Sequence, residues 1–209
     1  MNESQIMKWI RKQLGETTAV VHHEDPFRVL ISTVLSQRTR DANTEKATKQ
    51  LFAKYNTPKK IAGAKARELQ QLIKPSGFYR VKAKVIQRIS KQLLEEFGGR
   101  VPKTLEELLS LHGVGRKTAN CVLVYAFNQP AIPVDTHVHR ISNRLGWVRT
   151  NKPEKTEQAL MKLVPRKDWL ELNDLFVKFG QRVCLPRSPK CGQCSVSAEC
   201  RFFNSRKTN

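Results

Sequence analysis

Acidic residues are scarce in this chain. Its 209 residues carry 18 Asp and Glu against 38 Lys and Arg, a formal net charge of +20. A well-solvated surface accounts for many cations but not for so few anions, so a polyanionic partner is implied, nucleic acid first. Long apolar runs are also missing, and none approaches the roughly 20 residues that cross a bilayer. Residues 1–14 have apolar positions at helical spacing, but Lys8, Arg11 and Lys12 interrupt them, which excludes the unbroken core of a secretion signal. No segment is strongly basic on one helical face and apolar on the other, so a membrane surface is the weaker partner. β-Branched runs are confined to Val20-Val21 and Val122-Leu123-Val124, too short to build a sheet. Low-complexity stretches and internal repeats are absent. Cysteine is rare as well: there are five, and four stand together as ligands would rather than spread as a disulfide framework. A reducing cytoplasm is the expected compartment.

What is present reads as helix almost throughout. Asp25-Pro26 is an N-cap followed by proline at the first helical position. Phe27, Leu30, Ile31, Val34 and Leu35 then recur on one face, and the pattern gives out near Ser36. Asp41 is expected to cap the next helix, and Thr57-Pro58 to start a third. A long helix is predicted over about 79–97, with Val81, Val85, Ile86, Ile89, Leu93 and Leu94 on its apolar side and Gly98-Gly99 as its stop. Thr104 and Glu107 form a capping box. The expectation is an all-α protein of about ten helices, with the basic tail over 204–209 as the one disordered segment.

Leu111-His112-Gly113-Val114-Gly115-Arg116-Lys117-Thr118-Ala119 lies between two such helices. Two glycines two apart permit a tight hairpin and let a ligand approach the backbone. The N–H groups opening the second helix, from Gly113, Val114 and Gly115 onward, suit an anion such as a nucleic-acid phosphate. Glycine spacing alone fits an ordinary helix–helix turn equally well; the charge tips the balance. Lys117, at the mouth of the second helix, is a solvated lysine or a nucleophile, and a lysine attacks only once its ammonium has been disfavoured. Asp135, in Pro133-Val134-Asp135-Thr136-His137-Val138-His139-Arg140, is placed as an N-cap. A carboxylate there can also stabilise a developing positive charge.

Cys184, Cys191, Cys194 and Cys200 have the spacing C-x6-C-x2-C-x5-C. Four thiolates within one short loop fit a [4Fe–4S] cluster. Zinc usually takes two close pairs, and only Cys191 and Cys194 form one. Arg187 and Lys190 lie in the gap between the first two ligands, where an outward loop brings them within reach of phosphate.

Together the segments "LHGVGRKTA", "VDTH", "LSQRTRD" and the cysteine loop resemble the endonuclease III family within the helix-hairpin-helix DNA glycosylase superfamily, over roughly residues 25–200. The resemblance implies a six-helix domain over 21–130, with the helix-hairpin-helix at about 104–127. A second domain, of 1–20 plus 131–209, would hold a [4Fe–4S] cluster on the four cysteines, and the active-site cleft would lie between the two. It implies a bifunctional DNA glycosylase and abasic-site lyase of base excision repair, acting as a monomer on duplex DNA with damaged bases or abasic sites. Lys117 would be the nucleophile and Asp135 its electrostatic partner. The presence of Lys117 and the end of the chain soon after Cys200 separate it from the adenine-removing branch; the cluster separates it from most eight-oxoguanine enzymes. The rivals are a non-catalytic DNA-binding or redox-sensing protein and a glycosylase for mismatched or deaminated bases.

Two departures from the family pattern stand out. His112 replaces a usual proline, which should loosen the turn. Arg38 falls where relatives fill the gap left by a flipped base with glutamine, and Gln37 stands one residue earlier; Arg38 and Arg40 otherwise serve as phosphate contacts. Among the remaining candidates, His137 either lines the cleft or is structural, and His139 does not share its helical face. His22-His23 read as surface, Cys121 as core, and Trp147 and Trp169 as packing residues.

Overall fold

The structure, a computed structural model, describes residues 2–15 and 25–206. His22, His23, the Val20-Val21 pair and the last three residues of the basic tail lie outside the described residues. Among the described residues there are twelve α-helices and no strand, so the all-α expectation holds and the helix count exceeds it. The chain divides into two compact units, one formed by residues 22–128 and the other by residues 1–21 with 129–209.

In the first unit, α2 (Pro26–Ser36) begins as its sequence dictates, Asp25 accepting from the N–H of Arg28 at 2.8 Å. It buries Phe27, Val29, Leu30, Ile31, Val34 and Leu35 and packs on α3 (Asp41–Lys54), α6 (Tyr79–Glu96) and α8 (Arg116–Phe127). Burying such side chains stabilises the unit by about 1.5–3 kcal/mol each. The short α4 (Pro58–Gly63) and α5 (Ala66–Leu72) lie against α6, and α7 (Leu105–Ser110) against α8. Val122, Leu123 and Val124 are buried positions of α8, beside the buried Cys121.

Two local expectations fail. Asp41 does not cap α3: it is the helix's first residue, and Arg40 precedes it without a side-chain cap bond. Val81 and Leu94 leave the apolar side of α6, at 60% and 39% exposure. The buried arc of that helix runs instead through Lys82, Ala83, Ile86, Ile89, Ser90 and Leu93, and oxygens from the end of α2, the segment after it and the segment before α6 close on Lys82.

The second unit is built on α9 (Thr136–Leu145), which packs on α10 (Pro153–Leu163), α11 (Trp169–Arg182) and α12 (Arg201–Asn204), with α1 (Glu3–Leu14) against α11. Its core includes Ile10, Val138, Ile141, Leu172, Phe176 and Phe179, and Cys184, Cys194 and Cys200 pack against that core. Trp169 is buried and donates to the carbonyl of Val164 at 2.8 Å; the Trp147 ring lies 5.4 Å from that of Phe176. Both tryptophans are packing residues here. Asn204, the first residue of the basic tail, ends α12, and Ser205 and Arg206 follow in a turn, so the disorder expected from Asn204 onward does not begin there.

Candidate functional site

The hairpin between α7 and α8 is made tight by two features. Thr104 accepts from the N–H of Glu107 and starts α7. Gly113 has φ +76, a left-handed conformation, and a Cβ there would stand 2.8 Å from Val85 Cγ1 of α6. Glycine is therefore demanded twice, by the backbone angle and by the space. Val114 anchors the turn: its side chain is buried, and its N–H donates to the carbonyl of Leu111 at 3.1 Å. The N–H of Gly115, by contrast, makes no hydrogen bond among the described residues. It stands directly ahead of α8, where the helix dipole is positive. The N–H of His112, which a proline at this position would lack, donates to Gln92 Oε1 at 2.7 Å. Lys117 is the second residue of α8, half-buried, within the first turn at that positive end.

The loop after α2 lies in the same unit. Gln37 donates to Thr118 Oγ1 at 3.4 Å, which brings it beside Lys117's neighbour on α8. Arg38 has φ +50, uncommon for a residue with a side chain. Its guanidinium lies 5.9 Å from the centre of the Phe78 ring. Phe78 also has φ +57 and is 61% exposed. A large aromatic held out to water under an arginine is a marked feature of this unit. The sequence signal for it was slight: a phenylalanine between Gly77 and the first residue of α6. Arg40 is exposed, and its carbonyl accepts from the N–H groups of Asn43 and Thr44 at 3.0 Å each.

In the other unit, Asp135 caps α9 as expected. Its Oδ1 accepts from the N–H groups of His137 and Val138, both at 2.8 Å. His137 Nδ1 lies 3.1 Å from the guanidinium of Arg140, which also donates to the carbonyls of Cys184 at 2.9 Å and Gly180 at 3.3 Å. His137 is thus built into the helix support beside Asp135. His139 pairs with Thr156 Oγ1 at 2.6 Å, a separate contact, in keeping with the two histidines occupying different faces.

Cys184, Cys191, Cys194 and Cys200 line one cavity, together with Ile141, Leu145, Phe179, Val183 and Val196. No carboxylate or imidazole lines it. Among the described residues no two cysteines form a disulfide. Among the described residues no three His, Cys, Asp or Glu side chains already converge on a single ion position. Burial pushes the Cys194 thiol up to about 11 and that of Cys200 up as well, against the pull of backbone N–H groups at Val196 and at Phe203 and Phe202. Such thiols ionise when a metal replaces the proton. Arg144 supports the loop by donating to Cys184 Sγ at 3.4 Å and to the carbonyls of Leu185 and Pro186 at 2.7 and 2.9 Å. The donor set, four soft sulfurs in an apolar cavity with amides directed at them, fits an iron–sulfur cluster. Arg187 and Lys190 are exposed on the loop between the first two cysteines.

Residues 31–166 match the HhH-GPD superfamily base excision DNA repair protein family. The chain belongs to that family. Endonuclease III of Thermotoga maritima is 60% identical over 182 residues, covering 87% of this chain and 85% of the relative. Endonuclease III of Bacillus subtilis is 44% identical over 88% of this chain and 84% of the relative. The fold matches a non-covalent endonuclease III–DNA complex with a TM-score of 0.90 at 38% identity, over 100% of both chains. A trapped endonuclease III–DNA covalent intermediate matches with a TM-score of 0.89 at 38% identity, over 99% of each chain. This HhH-GPD chain therefore shares both sequence and fold with DNA repair enzymes. Among its described residues no helix is long and apolar enough to cross a membrane.

Proposed function

We propose that the chain is a bifunctional DNA glycosylase and abasic-site lyase, with oxidised or ring-saturated pyrimidines in duplex DNA as its preferred bases. The observation that carries the reading is Lys117 in the first turn of α8, directly after an anion-ready hairpin, in a chain 60% identical to an endonuclease III. The relative solved as a trapped covalent intermediate with DNA supports a covalent route.

In this mechanism the damaged base leaves the stack and enters the enzyme. The neutral amine of Lys117 attacks C1′ of its nucleotide. The bond from C1′ to the base nitrogen breaks, and the base leaves with its electron pair and takes up a proton. The Asp135 carboxylate stabilises the positive charge that develops on the sugar. The C1′–O4′ bond then breaks as the nitrogen lone pair forms the protonated Schiff base between Lys117 and C1′, and O4′ takes up a proton and remains on the sugar as a hydroxyl. Removal of a proton from C2′ expels the 3′ phosphate, which nicks the strand, and water then frees the lysine.

The other residues hold the duplex. Gly113 and Gly115 bring the hairpin backbone close to a phosphate, with Val114 as the buried anchor. Arg38 and Phe78 enter the space vacated by the base, Gln37 faces α8, and Arg40 binds phosphate. Cys184, Cys191, Cys194 and Cys200 would hold a [4Fe–4S] cluster, whose role is to set the fold of a loop that carries Arg187 and Lys190 towards DNA. The protein works as a monomer, in the cytoplasm and on the nucleoid.

Duplexes bearing a single thymine glycol, uracil, eight-oxoguanine or G·T mismatch, scored separately for base release and strand nicking, test this reading. Release and nicking together at thymine glycol are expected. Binding without release at any site would overturn it.

A further inference from the structure

Lys82 is a charged residue where an apolar one is expected. It is 5% exposed, on the buried arc of α6, among Ala83, Ile86 and Ile89. It has no carboxylate partner among the described residues, and burial lowers its pKa from 10.5 to about 8. Four oxygens surround its Nζ instead. They are the carbonyls of Leu35 at 2.7 Å and Gln37 at 2.5 Å, Thr39 Oγ1 at 2.8 Å and Ser76 Oγ at 2.9 Å. An ammonium has three N–H donors, so all of them are engaged.

These four oxygens come from two loops. Leu35 and Gln37 close α2, Thr39 lies in the turn that follows, and Ser76 belongs to the turn before α6. The loops also touch each other: Ser76 Oγ donates to the Leu35 carbonyl at 2.9 Å, and the N–H of Gly77 donates to Thr39 Oγ1 at 3.0 Å. A Cβ at Gly77 would stand 2.9 Å from the carbonyl oxygen of Arg38. The two residues the loops present, Arg38 and Phe78, both have left-handed backbones. Each such conformation is disfavoured for a residue with a side chain and persists only where its surroundings fix it. The carbonyls at the C-terminus of α2 carry the negative end of a helix dipole, which a buried cation complements.

We infer that Lys82 is a positioning residue whose ammonium clamps the loop over 37–40 to the corner over 76–78, so that Arg38 and Phe78 meet the duplex as one preformed ridge. This rests on the reading of Arg38 and Phe78 as the side chains that enter DNA. A neutral side chain of the same length removes the donor that joins the four oxygens, and the Leu35 and Gln37 carbonyls lose their charged partner. The loops then part, and recognition that depends on fixed geometry falls on the order of tenfold to a hundredfold.

The test uses the full chain with its metal content intact. Dissociation constants are measured for a duplex carrying a tetrahydrofuran abasic analogue and for the same duplex intact, at one salt concentration, alongside Tm. Lys82→Met is expected to reduce the preference for the abasic duplex by about tenfold or more, with affinity for intact duplex changed by no more than about twofold. Thr39→Ala and Ser76→Ala, each removing one acceptor, should reduce the preference by less. Lys82→Arg, which restores charged donors, should recover part of it. A purely structural role would lower Tm and leave the preference alone. A folded Lys82→Met variant with wild-type preference overturns the inference; if that variant does not fold, wild-type preference in both Thr39→Ala and Ser76→Ala overturns it. The double variant Arg38→Ala, Phe78→Ala separates the two levels. If it keeps the preference, the ridge does not read DNA and the inference falls with that reading. If it loses the preference while folded Lys82→Met does not, only the role of Lys82 falls.

Discussion

Val85 Cγ1 occupies the space that a side chain at Gly113 would need, 2.8 Å from where its Cβ would stand. The hairpin is therefore set against α6 by contact as well as by its own backbone angle. Gly113→Ala adds a methyl to a residue at φ +76 and pushes on Val85. Stability should fall by about 1–3 kcal/mol, and affinity for intact duplex should fall with it. Denaturant melts and a binding titration check both; unchanged affinity would mean that the hairpin does not hold phosphate.

Asp135 has two duties that a pair of substitutions separates. As a cap it accepts two N–H groups at 2.8 Å. Asn caps nearly as well as Asp, whereas Ala costs about 1 kcal/mol. Asp135→Asn should therefore keep Tm close to wild type, and Asp135→Ala should lower it. Both remove the negative charge, and both should slow base release by about a hundredfold or more, measured in single turnover. Full activity in Asp135→Asn would confine the residue to capping.

Lys82 gives a signed pH effect. Its folded-state pKa is lowered from 10.5 to about 8 by burial. Between those values the unfolded chain binds the proton more readily than the folded one, so this group makes stability rise with pH across that window. Below about pH 8 the cost of burying the ammonium is fully present; above 10.5 it is absent. The difference in unfolding free energy between wild type and Lys82→Met should therefore change as pH passes from 8 to 10.5, with the wild type gaining. A difference independent of pH would show that Lys82 titrates normally in the folded protein.

The sulfur site predicts about four irons per chain and a broad absorbance near 400 nm. Because Cys184, Cys194 and Cys200 pack against the core of their unit, removal of the iron should lower Tm and loosen that unit first, which hydrogen exchange would register. A colourless protein containing zinc would contradict the cluster.

Local features of the fold were legible in the sequence. Asp25, Thr104 and Asp135 cap helices because a side chain and an N–H two or three residues on are all the bond requires. The cysteine spacing likewise pointed to four sulfurs on one cavity, although the walls of that cavity depend on α9 and α11. What was hidden is tertiary. Lys82 lies within an apolar pattern, and its partners are 6 to 47 residues away. Val81 reads as core from its spacing and is exposed, and nothing in the sequence pattern marks Phe78 as held out to water. The bond between His112 and Gln92 was hidden in the same way, because the two are 20 residues apart.

Borohydride trapping on an abasic duplex addresses the chemistry most directly. The wild-type protein should form a covalent complex with the nicked strand, and Lys117→Gln should form none while still binding the duplex. A covalent complex that persists in Lys117→Gln would contradict the assignment of Lys117 as the nucleophile.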